Sequence, residues 1–257
     1  MTGRLDGRVA WITGAGSGIG RAIAIALAAE GAKVALTGRT VATLEETAAL
    51  VRDAGGSASV APADITDAAA VTAAHRVVVD RFGEPHILVN NAGWNERRRH
   101  WRELTPEAAQ RLVAGNLTGP ILCTLAVLPA MRARRDGVLV HVASVSATGI
   151  FLVSGPIYTA AKYGARAMSA TLNGEEGING IRSICINPGE VETPILDKRP
   201  VKLTPEQLAL LVQPSDVAAG VVFAVTLPPR ACVTELTIAP TDNNFYRAEA
   251  HAIAKRT

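Results

Sequence analysis

Aromatic side chains are scarce: phenylalanine, tyrosine and tryptophan together supply 4% of the 257 residues. A core built around large rings is excluded, and Ala, Val, Leu and Ile must provide it in a chain that is 48% hydrophobic. Cysteine is also sparse. Cys123, Cys185 and Cys232 are odd in number, far apart and each set in an apolar run. That pattern indicates neither a disulfide framework nor a metal site, and it fits a reducing cytoplasm. Excess charge is small at +3, too mild for a nucleic-acid binder unless the basic residues cluster. One cluster exists, Arg97-Arg98-Arg99-His100-Trp101-Arg102, and its plainest reading is a solvated loop. No apolar stretch reads as long enough to span a bilayer. The N-terminus, Thr2-Gly3-Arg4 followed by Asp6-Gly7-Arg8, has no apolar signal core, so a soluble protein is expected.

What the chain does have is alternation. Val9-Ala10-Trp11-Ile12 is a short apolar run of the kind a strand buried on both faces requires. Ile19, Ile23, Ala26 and Leu27 then fall at helical spacing, with Gly31 as the stop. The pattern repeats with strands at 34–37, 57–61, 87–89, 138–142, 181–186 and 236–238, and with helices at 43–54, at 67–82 and from Pro106 onward. Such alternation predicts an α/β fold: three-layer, Rossmann-like and doubly wound, a mostly parallel seven-stranded sheet with helices on both faces. The length suits one domain over 1–257. Thr204 should cap a short helix and Ser215 another. The Pro- and charge-rich stretch after the sixth strand, around 190–213, is where a lid over a site would sit.

Thr13-Gly14-Ala15-Gly16-Ser17-Gly18-Ile19-Gly20 joins the first strand to the first helix. Glycines there let backbone approach a pyrophosphate, whose charge is favoured at a helix start. The spacing is T-G-x-x-x-G-x-G. It is followed in order by Asn90-Asn91-Ala92-Gly93, Asn116, Ser144, Tyr158-Thr159-Ala160-Ala161-Lys162 and Asn187-Pro188-Gly189. In these motifs the chain resembles the short-chain dehydrogenase/reductase family, in its compact branch, over nearly its whole length.

The resemblance implies a nicotinamide cofactor held by Gly14, Ser17, Gly18, Ile19 and Gly20. Asp64 and Ile65 would border the adenine, unless Asp64 merely caps the next helix. Asn90, Ala92 and Gly93 would lie at the adenosine ribose, Tyr158 and Lys162 at the nicotinamide ribose, and Pro188, Gly189, Val191 and Thr193 at the nicotinamide end. At the end of the second strand, Thr37-Gly38-Arg39-Thr40 carries no carboxylate for a ribose 2′-hydroxyl, and Arg39 suits a 2′-phosphate. NADP(H) is therefore favoured over NAD(H), with no metal.

Reducing a ketone needs a proton source for the developing alkoxide and a group to polarise the carbonyl oxygen. Tyr158 can supply the proton if a positive charge stabilises its phenolate, and Lys162 lies one helical turn away. Ser144 closes the fifth strand, fourteen positions before Tyr158, one more than is usual in the family. The extra residue leaves open whether Ser144 or Ser146 faces the tyrosine, and Ser144 is favoured. Asn116 would complete the set by holding a water near the lysine. The substrate, a small carbonyl compound or alcohol, should lie among Trp94 to Trp101, Ile150 to Pro156 and the stretch after Glu190. Arg97, Arg98 or Arg99 could meet a carboxylate or phosphate on it. By resemblance the chain should form a tetramer or dimer, with neither nucleic acid nor membrane as partner. A nucleotide-sensing scaffold that kept the fold is the alternative; a sugar-nucleotide epimerase would need a longer chain.

Overall fold

Strand β1 (Val9–Thr13) is buried at all five positions, and its side chains divide between two cores as the two-residue period of a strand requires. Ala10 and Ile12 join one core, Val9 and Trp11 the other. The same division runs through β2 (Lys33–Thr37), β4 (Ile87–Asn90) and β5 (Gly137–Val142). With β3 (Ser57–Val60), β6 (Ile181–Pro188) and β7 (Glu235–Ile238) they make a seven-stranded sheet in the order β3-β2-β1-β4-β5-β6-β7. Every pair is parallel. The computed structural model describes residues 3–198 and 202–243.

On the first core lie α1 (Gly18–Ala29), α2 (Val41–Asp53) and α8 (Pro214–Val225), through Ile23, Leu27, Leu44 and Val221. On the second lie α3 (Ala68–Phe82), α5 (Gly119–Arg134) and α6 (Pro156–Glu176), through Val71, Val127, Met131 and Leu172. Two shorter helices, α4 (Pro106–Val113) and α7 (Pro205–Leu208), complete the set. From β1 the chain winds outward one way to β3, and from β4 the other way to β7. The crevice at the carboxyl ends of β1 and β4, where winding reverses, is the place where such sheets bind ligands.

The expected elements stand close to their sequence bounds, with three differences. The helical stretch from Pro106 is interrupted by a π-helical turn, Ala114–Thr118, between α4 and α5. Taken as a whole, Pro106–Arg134 is long and apolar enough to cross a membrane by length and composition, contrary to the sequence reading. Half of its most apolar window is buried, because Cys123, Val127, Leu128 and Met131 are the residues that face the sheet. Finally, the capping position of α8 is Gln213 and not Ser215: the Gln213 N–H donates to the Asp216 carboxylate at 2.8 Å, with Pro214 in the first turn. Thr204 caps α7 as expected, in partnership with Gln207.

Candidate active site

The glycine turn is held against the end of β4 by a small polar knot. Thr13 Oγ1 accepts from the N–H groups of Asn91 and Ala92, at 3.1 Å each, and donates to the Val89 carbonyl at 3.2 Å. Asn91 Nδ2 donates back to the carbonyls of Thr13 at 3.0 Å and Gly14 at 3.2 Å. Gly14 has φ +64, and a Cβ on it would lie 2.8 Å from Ala92 Cα, so only glycine allows this approach. Ser17 precedes α1 in extended conformation and makes no side-chain capping bond. The first N–H groups of α1 therefore face the crevice as donors for an anion.

A cleft of about 190 Å³ opens beside this turn, bordered by Gly16, Ser17, Arg39, Asp64, Ile65 and Trp94. The Arg39 guanidinium sits 5.2 Å from the centre of the Trp94 ring. A Cβ on Gly115, in the π-helical turn, would occupy the space of that ring. Asp64 does not cap α3, since Asp67 does so by accepting from Ala69 and Ala70. Asp64 instead takes the Thr66 N–H at 3.0 Å and hydroxyl at 2.8 Å. The Thr66 N–H is the main reason its carboxyl titrates below the usual range, with the Arg39 charge adding to it.

A larger cavity of about 500 Å³ continues from Gly14, Ser17, Gly18 and Ile19 past Ala92 and Gly93. It reaches Ser144, Tyr158 and Lys162, and is closed on its far side by Pro188, Gly189, Val191 and Thr193. Helix α6, opened by Pro156 at its first turn, carries Tyr158 and Lys162 on one face. Burial pushes the Tyr158 phenol up to about 12; a hydrogen bond with Ser144 and the charge of Arg99 pull it back in part. Lys162 is buried, donates to the Val142 carbonyl at 3.0 Å and lies 5.4 Å from the centre of the tyrosine ring. Desolvation draws its ammonium down to about 8.

Ser144 is thus the serine that meets the tyrosine. Ser146 borders the same cavity, but its hydroxyl is engaged with that of Ser154 at 2.7 Å. Asn116 stands in the π-helical turn, where its Nδ2 donates to the carbonyls of Trp94 at 2.9 Å and Leu112 at 3.0 Å. Its Oδ1 is buried without a hydrogen bond among the described residues. A Cβ on Gly93 would come within 2.7 Å of that oxygen and 3.3 Å of Lys162 Nζ, so Gly93, Asn116 and Lys162 meet at one point.

Three of the expected residues lie off the cavity wall, the first being Asn116, which stands behind Gly93. The Asn90 side chain turns inward beneath the wall, to Thr124 Oγ1 at 3.0 Å and His141 Nδ1 at 3.3 Å. Gly20 serves packing: any Cβ there would collide with the Gly14 carbonyl. Sequence reading gave no individual role to Asn91, quoted only within its motif, and named Trp94 only as the start of the substrate stretch; the contacts of both come from distant elements. It also took the arginine cluster as a solvated loop. Arg97, Arg98 and Arg102 are exposed, but Arg99 is only 5% exposed and lines the cavity.

The segment beyond β6 is pinned at both ends. Val191 bridges Val212, with Glu192 N–H to Val212 O at 2.9 Å and Val212 N–H to Glu190 O at 3.1 Å. Between them Pro194–Lys198 forms a 3-10 turn and α7 follows; residues 199–201 of the expected lid lie outside the described residues.

Open N–H groups, backbone without Cβ at Gly14 and Gly93, and a guanidinium at the far end together fit a dinucleotide, and the sheet order is that of dinucleotide-binding proteins. The family model for short chain dehydrogenases matches residues 8–203. Levodione reductase of Leifsonia aquatica is 35% identical over 257 aligned residues, covering 94% of this chain and 95% of its own. Sepiapterin reductase of Chlorobaculum tepidum is 34% identical over 241, covering 91% and 96%. Among solved structures, actinorhodin polyketide ketoreductase with NADPH superposes with a TM-score of 0.85 at 30% identity, over 95% of this chain and all of that one. The chain belongs to the short-chain dehydrogenase/reductase family and is an oxidoreductase of it.

Proposed function

We propose that this protein moves a hydride between NADP(H) and a carbonyl compound or its secondary alcohol, with Tyr158 as the proton-transferring residue. The observation that carries this reading is convergence: Ser144, Tyr158 and Lys162 share one cavity wall with the glycine turn. Bound nicotinamide supplies or accepts the hydride. Tyr158, protonated at neutral pH because burial raises its pKa, gives its proton to the substrate oxygen during reduction, and Ser144 donates a hydrogen bond to the same oxygen. Lys162 holds the nicotinamide ribose, and its charge favours the phenolate left behind. Asn116 holds a water beside that lysine, and Pro188, Gly189, Val191 and Thr193 orient the nicotinamide end.

The preference for NADP(H) rests on Arg39 at the adenosine end and on the absence of a carboxylate at the end of β2. The similar ketoreductase solved with NADPH supports it. Residues 190–213 act as the lid of a single catalytic domain, hinged where Val191 meets Val212. Assembly through α5 and α6, where Leu125 is exposed, and a cytoplasmic location complete the reading.

The test is turnover of a broad ketone and alcohol panel with NADPH and with NADH. Tyr158→Phe should keep NADPH binding and lose about 10²–10⁴-fold in kcat. Arg39→Ala should weaken NADPH binding by about 10–100-fold and leave NADH binding nearly unchanged. Normal turnover by Tyr158→Phe removes the role given to the tyrosine. Cofactor binding without turnover of any panel member would favour a nucleotide-sensing protein instead.

A further inference from the structure

We propose that Trp94 sets the cofactor preference through Arg39: its indole seats the guanidinium beside the adenosine cleft, so that the 2′-phosphate of NADP(H) meets a cation already in place. The inference rests on the reading above, in which Arg39 answers that phosphate.

Topology brings the two side chains together. Strands β2 and β4 flank β1 in the sheet; Arg39 stands just past the end of β2 and Trp94 just past the end of β4. They touch across the end of β1, with the guanidinium carbon 5.2 Å from the centre of the indole, and both line the cleft that holds Gly14, Ser17 and Asp64. The seat is built into the fold. The indole fills a space that only a glycine leaves open, since a Cβ on Gly115 would fall within the ring. Gly115 belongs to the π-helical turn Ala114–Thr118, a device that recurs at functional sites. The same turn fastens the Trp94 backbone, whose carbonyl accepts from Asn116 Nδ2 at 2.9 Å. Ring and backbone of Trp94 are therefore held by one element.

Arg39, by contrast, is exposed. The carboxylate on the same cleft, Asp64, is occupied by the N–H and hydroxyl of Thr66 and does not anchor it. A long exposed side chain samples many rotamers, and ordering it on a ligand costs affinity. Cation–π attraction, strongest for an indole, keeps the guanidinium in one place beforehand. That contact uses the face of the guanidinium and leaves the N–H groups of its edge to donate to phosphate oxygens at two points. NAD(H) carries a hydroxyl where NADP(H) carries the phosphate, so it gains little from a seated cation. Trp94 is thus a positioning residue whose effect is read as a preference between cofactors.

The test compares dissociation constants of NADPH and NADH, by titration calorimetry, for wild type, Trp94→Leu, Trp94→Phe, Arg39→Ala and the double variant Arg39→Ala/Trp94→Leu. Circular dichroism checks that each is folded, and Trp94→Met replaces the leucine variant if that one is not. Trp94→Leu should cut the preference for NADPH over NADH by about 3–10-fold, and Trp94→Phe should keep part of it. In the Arg39→Ala background the leucine substitution should change the preference by less than about 2-fold, because no guanidinium is left to seat. An unchanged preference in Trp94→Leu, or an effect as large without Arg39 as with it, overturns the proposal and makes the indole mere packing. A preference that Arg39→Ala leaves untouched, or a wild type with none, overturns instead the reading on which it rests.

Discussion

His141 shows how much a single side chain can depend on its address. It lies on β5 directly opposite Asn90 of β4, wholly buried, and its Nε2 makes no hydrogen bond among the described residues. Desolvation draws its pKa down to about 4. Because the folded value lies below the ordinary 6.5, the unfolded chain binds the proton first. Stability is therefore complete above pH 6.5 and drains away as pH falls toward 4, by an amount of order 3 kcal/mol. Urea unfolding at pH 7 and pH 4.5 checks this: His141→Asn should lose clearly less stability than wild type between the two. The comparison also removes the contribution of His86, which burial and the neighbouring Arg134 and Arg8 shift in the same direction. Equal losses would mean that the imidazole is not kept neutral by its surroundings. The same dependence on address explains Ser144 and Ser146. Both are turn serines in sequence, and only the approach of Ser154 and of α6 separates their roles.

At the scale of elements, α5 and α6 are joined at their far ends by Arg132 and Glu176. The guanidinium Nε lies 3.1 Å from Glu176 Oε1 and 3.0 Å from Oε2, and Asn179 donates to Oε2 at 2.9 Å. Glu176 is only 4% exposed, so its charge relies on these partners, and the Arg132 contact is the main reason its carboxyl titrates low. Arg132→Met should destabilise the protein by roughly 1–3 kcal/mol near neutrality, since a nearly buried carboxylate loses its cation. The sign of the pH dependence follows from the lowered folded pKa: the pair contributes above the ordinary carboxylate range and fades as pH falls through the folded value. Chemical unfolding of the variant at pH 7 and pH 3.5 should show the gap to wild type narrowing in acid. A constant gap would assign the loss to the packing of the arginine stem. Elements were the most legible level of this sequence, because strand and helix periods survive whatever surrounds them. The exceptions have local causes. Gln213 and not Ser215 holds the capping position of α8, because Pro214 takes the first turn and Asp216 reaches back to the Gln213 N–H at 2.8 Å.

For the whole molecule, the crevice at the winding reversal couples the cofactor to folding, since a ligand that binds only the native state stabilises it by mass action. At about 100 times its dissociation constant, NADPH should add roughly 2.7 kcal/mol. For a chain of this size that corresponds to a rise in Tm of roughly 5–10 °C. NADH at the same concentration should give a smaller shift. Differential scanning fluorimetry reads both, and the absence of any shift with millimolar NADPH would contradict dinucleotide binding at the glycine turn.

Sequence alone determined the order of strands and helices, the parallel sheet, the glycine turn and the turn of helix bearing Tyr158 and Lys162. Each is encoded by local periods and by spacings of a few residues, which no distant part of the chain can alter. Only the tertiary structure decided which polar side chains face the cavity. Asn91 and Trp94 enter the site through contacts with residues far away in sequence, Asn90 turns inward, and one arginine of a uniformly basic run is buried while its neighbours stay in water. The physical reason is that the direction of a side chain beyond a strand end is set by what packs against it, and here the packing partners come from the glycine turn, the end of β2, the π-helical turn, α5 and β5.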